Sequence, residues 1–148
     1  MKSEDNTLNS AWWALRIGLG LGPFLAGLDK FFNLLTNWQM YLSPQMERIL
    51  PISGTAFMHI VGIIEMIVGL AVLTRWTRLG AYVAMAWLIA IAINLASTGM
   101  FFDLAVRDVE IAIAAFTLAK LTESRERAAE VETTSHRRLD GLGHAAGA

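Results

Sequence analysis

An all-α membrane protein, folded as an antiparallel four-helix transmembrane bundle, is what this sequence predicts, on three observations. Of its 148 residues 55% are hydrophobic and only 17% are charged. The apolar residues gather in four blocks, 11–35, 54–73, 79–97 and 104–121, each close to the roughly 20 residues that cross about 30 Å of hydrocarbon. Within each block the small and polar residues fall on one stripe, the face a helix turns toward its neighbours rather than toward lipid.

The elements follow in order. Residues 1–10 are polar and mixed in charge, and block 11–35 is longer than a signal core, so no cleavable leader is expected. The connector 36–53 holds Pro44 and Pro51 around a short piece with Ser43 as its N-cap, which reads as an interfacial helix, an ordinary amphipathic connector in preference to a lid over the bundle. Segment 74–77 is so short that the second and third spans form an antiparallel hairpin. The fourth span, 104–121, completes a bundle over 1–121. The remainder, 122–148, is a polar tail, helical at first and flexible from Asp140 onward.

Basic residues set the orientation. Lys2, Arg75, Arg78, Lys120, Arg125, Arg127, Arg137 and Arg138 share one side of a four-span thread, and Arg48 stands nearly alone on the other. Both termini are therefore expected in the cytoplasm. Trp12, Trp13 and Trp76 then lie at the inner interface, with Trp38 and Tyr41 at the outer one, as in an aromatic belt.

At about 100° per residue the first span aligns Arg16, Gly20, Pro23, Gly27 and Lys30. The second aligns Gly62, Glu65 and Gly69. The third aligns Gly80, Ala84, Trp87, Ile91, Asn94 and Thr98, and the fourth Asp103, Arg107, Glu110, Ala114 and Thr117. Small residues on these lines let backbones approach where apolar burial gives no drive for association.

The polar residues at membrane depth converge on the outer half: Asp29, Lys30, His59, Glu65, Asn94, Asp103, Arg107, Asp108 and Glu110. Glu65 stands near the centre of the most apolar block, where a carboxylate costs about 2.5–3.5 kcal/mol unless it faces protein or water. Lys30 and Arg107 oppose the carboxylates of Asp29, Glu65, Asp103, Asp108 and Glu110, so they are expected to neutralise part of one shared pocket. Arg107 is expected to pair with Asp103 and Glu110 along its helix and with Glu65 across the bundle. For Arg107 with Asp103 a register-fixing role is the favoured reading, since both sit near the interface. His59 lies roughly 120° from Glu65 and reads as a core or interfacial histidine.

Composition also excludes classes. Cysteine is absent, so the chain cannot perform dithiol exchange or ligate an iron–sulfur cluster. One histidine at membrane depth cannot supply two ligands to a b-type haem. No metal-ligand spacing, phosphate loop or serine nucleophile context is present. A net charge of −1 gives no reason to invoke nucleic acid. A self-contained enzyme of ordinary type is not expected.

The stretches LRIGLGLGPFLAGLDKFF, GIIEMIVGLAVLTRWTRLGA and RDVEIAIAAFTLAKL, with Arg16, Lys30, Glu65, Gly69, Arg75, Arg107 and Asp108 in order, resemble the DoxX-like family of small bacterial and archaeal four-span membrane proteins. The resemblance covers 13–121. It implies a multi-pass protein of the cell (inner) membrane associated with oxidoreductase complexes, quinone- or thiol-linked, with any thiol chemistry belonging to a partner subunit.

The expected function is an integral subunit or accessory protein of a membrane redox system. Glu65 is the candidate proton carrier, and Lys30, Glu65, Asn94, Asp103, Arg107 and Asp108 form the candidate binding site for a quinone headgroup or small polar solute. No intrinsic cofactor and no metal are expected. The bilayer, redox subunits and a second copy are the expected partners. The alternatives are a small-solute or lipid transporter using the same pocket, and a structural scaffold.

Overall fold

Helix accounts for every regular element among the described residues of the computed structural model. These are residues 2–146, with the backbone alone described at 2–5, 136 and 138–146. The helices are α1 (Lys2–Asp29), α2 (Pro44–Ile49), α3 (Gly54–Leu73), α4 (Thr77–Ser97) and α5 (Phe102–Ala146), with a 3-10 turn at Trp38–Tyr41. Three of them are long and apolar enough to cross a membrane by length and composition: Asn6–Asp29, Gly54–Leu73 and Thr77–Ser97. The block 104–121 lies inside α5. Arg107, Asp108, Glu110 and Lys120 interrupt its apolar run.

Local chemistry explains the helix ends. Ser53 caps α3 by accepting the Ala56 amide at 3.2 Å. Ser43 caps α2 by accepting the Met46 amide, with Pro44 in the first turn. The polar N-terminal residues join α1, whereas residues 30–35 leave it. Asp29 ends the helix: its carboxylate oxygens accept the Leu34 and Leu35 amides, each at 3.0 Å, and its carbonyl accepts the Asn33 amide at 2.7 Å. Asn33 adopts φ 51°, the left-handed conformation that asparagine tolerates at a helix C-terminus. At the other end of the chain α5 continues through Asp140 to Ala146, where composition predicted loose chain. Gly147 and Ala148 lie outside the described residues.

α1 packs mainly on α3 and α4 mainly on α5, the two pairs meeting along α3–α4 and more sparsely along α1–α5. Glycine sets the first contact. A Cβ on Gly62 would stand 2.5 Å from the Gly27 carbonyl oxygen, and one on Gly69 would stand 2.5 Å from that of Gly20. The two backbones therefore touch at two places about two turns apart. Gly80 draws the α3–α4 hairpin together in the same way against Val72. All four long helices contribute to one apolar core through Trp12, Leu19, Val68, Val72, Ala81, Ala84, Ala115, Leu118 and Ala119.

The stripe expected for the fourth span is corrected. Asp103, Arg107, Glu110 and Thr117 are exposed, and the buried face of α5 runs through Ala105, Asp108, Ala112, Ala115, Ala119 and Thr122. This is a small-residue seam repeating by threes and fours, about one residue round the helix from the polar line. Alanine allows α4 and α5 to approach closely, whereas charges near the start of α5 avoid desolvation by facing outward.

Candidate functional site

Lys30 is the first residue past α1, and Glu65 lies one turn along α3 from Gly62. The glycine crossing brings them together. A Cβ on Gly27 would fall 3.0 Å from the Glu65 Cβ, and one on Gly62 would fall 3.2 Å from the Lys30 Cβ. At this close approach Lys30 Nζ donates to Glu65 Oε2 at 2.5 Å. The two residues are 4% and 6% exposed. The charges meet where water is excluded, so each compensates the desolvation of the other.

Trp38 closes the pair from the connector side. Lys30 Nζ lies 3.7 Å from its ring centroid, within cation–π range, while Trp38 Nε1 donates to Asp29 Oδ2 at 2.8 Å. The carboxylate that ends α1 thus also latches the indole over the lysine next to it. Asp29 receives three N–H donors, which help to balance a buried anion.

Two further helices contribute. Asp108 of α5 is buried and lies near both Lys30 and Glu65. Trp87 of α4 points its buried indole Nε1–H at the Glu65 carboxylate. Lys30, Glu65, Trp87 and Asp108 therefore bring one polar group from each long helix, or from the residue at its end, to a common place.

Other expected site residues go elsewhere. The Arg107 side chain is 58% exposed and pairs with its neighbour Asp108 at 3.3 Å. It pairs with none of Asp103, Glu110 or Glu65, because it leaves α5 on the outward side. Asp103 is exposed in the first turn of α5, where a carboxylate suits the helix dipole. Asn94 ties down the connector: its Nδ2 donates to the Tyr41 carbonyl at 2.7 Å, and its Oδ1 accepts the Ser43 amide at 3.2 Å. His59 stacks on Phe31 with 4.7 Å between centroids. Among the described residues no group of His, Asp or Glu side chains is arranged to hold a metal ion.

Sequence reasoning missed Trp38 and Trp87 as site residues. Trp38 was placed in the outer belt and Trp87 in the packing of its stripe. Trp87 already shared a line with Gly80, Ala84 and Asn94, which could have marked its indole as facing inward. For Trp38 no local signal existed, since its position depends on the reversal at Asp29–Leu35.

The opposite end is held by different chemistry. Arg16 donates to the carbonyls of Val72, Leu73 and Thr74 at 3.1, 2.7 and 2.7 Å. It thereby caps the C-terminus of α3 with a cation. Trp12 Nε1 donates to Thr122 Oγ1 at 2.8 Å in the core. Tyr82 donates its hydroxyl to Glu123 Oε1 at 2.7 Å. That bond, with the Lys120 ammonium, holds the Glu123 carboxyl below the usual glutamate range. No family model, curated protein or solved structure matches the chain.

Proposed function

We propose that the chain is a four-span integral membrane protein, an antiparallel bundle with both termini cytoplasmic, that serves as a subunit or accessory protein of a quinone- or thiol-linked redox system. The membrane reading is supported by an inside-out distribution of polarity. Ile60, Ile63, Ile67 and Leu70 of α3 are exposed, whereas Glu65 on the same helix is buried. Ile17, Leu21, Leu25 and Leu28 of α1 are likewise exposed, with Asp29 and Lys30 inside. Such a surface suits lipid better than water. The redox reading draws on the resemblance to DoxX-like proteins.

One observation carries the site: the buried Lys30–Glu65 pair beneath Trp38, faced by the Trp87 N–H. These groups fit the oxygen-bearing ring of a quinone. Lys30 and Trp87 supply hydrogen-bond donors to ring oxygens, Glu65 holds or releases a proton, and the indoles supply flat apolar walls. Movement of Trp38 away from Lys30 admits the headgroup from the connector side. A bound quinone supplies the two-electron chemistry, and the electron path belongs to a partner subunit.

Mild-detergent purification followed by mass spectrometry of co-purifying quinones and proteins tests this. Wild-type protein retains quinone and a redox subunit, and Glu65→Gln keeps the subunit while losing the quinone. Equal quinone retention in both, or none in either, removes the pair from quinone binding. A scaffold role is the second reading, favoured by Lys30 and Glu65 satisfying each other and by Asn94 being engaged within the chain. That role predicts that neutral replacements lower thermal stability and alter nothing else.

A further inference from the structure

At the end of the molecule remote from Lys30 and Glu65, Arg75, Trp76, Arg78, Leu79 and Glu126 line an open hollow of about 360 Å³. Its charges are unevenly engaged. Arg78 Nη1 donates to Glu126 Oε2 at 2.7 Å, with both side chains about half exposed. Arg75 is exposed and makes no hydrogen bond or ion pair among the described residues. One guanidinium is thus held at the rim by a carboxylate, and the other stands ready beside it.

The surroundings are those of a membrane interface. Trp76 and Leu79 are 54% and 55% exposed at the turn between two of the three apolar helices. An indole at such a level sits among headgroups. Trp76 is also the N-cap of α4 and makes no side-chain cap hydrogen bond, so the first turn of that helix adds partial positive charge. The net sign of the hollow is positive, with Glu126 the single opposing group.

We propose that this hollow binds the phosphate of an anionic phospholipid, its acyl chains lying along the exposed apolar residues of α3 and α4. The fit is one of charge and depth together. Arg75 and Arg78 offer forked N–H donors to phosphate oxygens. Trp76 sits at the glycerol level, and Ile67, Leu70 and Val83 are exposed to hydrocarbon. Arg78 exchanges Glu126 for the phosphate or is shared between them. The inference rests on the chain spanning a membrane as proposed above.

Native mass spectrometry of the full chain, released from nanodiscs of phosphatidylcholine with phosphatidylglycerol, tests it. Wild-type protein retains phosphatidylglycerol in preference to phosphatidylcholine. Arg75→Gln lowers that preference about fivefold, and Arg75→Gln with Arg78→Gln lowers it about fivefold again. Glu126→Gln raises it, because the competing carboxylate is gone. All three positions are exposed, and unchanged helical circular dichroism confirms that the variants fold. Equal retention of both lipids by wild type, or a preference unaltered in the double variant, overturns the proposal. Extraction of the chain from membranes by alkaline carbonate overturns the membrane reading instead, so the two failures are distinguishable.

Discussion

Lys30 and Glu65 have been brought into an environment where neither charge is tolerable alone. Removing one partner leaves the other buried and uncompensated, at about 3–5 kcal/mol. Lys30→Met and Glu65→Leu should each lower the unfolding midpoint in detergent strongly, and the double variant should recover most of the loss. A double variant as unstable as the sum of the singles would show that the pair is not the interaction at stake. Trp38→Ala should leave the pair formed but expose Lys30 to an amine-reactive reagent, and Trp38→Phe should protect it partly, keeping a ring without the bond to Asp29. Equal labelling of all three proteins would refute the latch. Arg107→Gln should change stability by less than about 0.5 kcal/mol, as expected of an exposed side chain. Polarity alone made Arg107 look like a pocket residue, yet Asp108 beside it is the one that is buried. Roughly 100° of rotation separates adjacent residues on a helix, and the sequence carries no mark of which way the charged end is turned.

Helix pairing depends on where glycine is required and where it is incidental. Gly20, Gly27, Gly62 and Gly69 would drive a Cβ into a facing backbone or side chain, whereas Gly18 and Gly22 meet nothing within 4 Å. Gly62→Ala should cost about 1–3 kcal/mol as overpacking and separate Lys30 from Glu65, while Gly18→Ala and Gly22→Ala should be neutral or mildly stabilising. Thermal unfolding of the three variants decides this, and equal effects would remove the crossing from the account. Between α4 and α5, Tyr82 donates to Glu123. Because Glu123 titrates below its ordinary value in the folded chain, this contact contributes stability above the usual glutamate range. The contribution disappears as pH falls through the depressed value. Glu123→Gln should therefore flatten the acid limb of the stability profile, and an unchanged limb would count against it. The α1 and α3 stripes were readable because their glycines and charges coincide. The α5 stripe was not, because alanine packs a seam without standing out from an apolar run.

Across the whole molecule, the α1–α3 and α4–α5 pairs enclose a core whose two ends differ in kind. One end holds a lysine–glutamate pair under an indole, and the other is fastened by Arg16 on the carbonyls of α3. If all four long helices cross a bilayer, cysteines introduced singly at Asn37 and Ser124 should react with impermeant reagents from opposite sides. Labelling from one side would reduce the number of spans.

Composition and periodicity by themselves determined that the chain is helical, that three of its apolar blocks have membrane length, and that Lys30 and Glu65 lie on inward-facing stripes. Each of these is a property of one segment. Tertiary structure alone decided that Trp38 folds back over Lys30, that Trp87 faces Glu65, that Asn94 anchors the connector and that α5 turns Asp108 inward and Arg107 outward. These depend on the rotation of one helix against another and on a chain reversal at Asp29. Glycine contacts fix α1 against α3, an alanine seam fixes α5 against α4, and the carboxylate of Asp29 fixes the reversal.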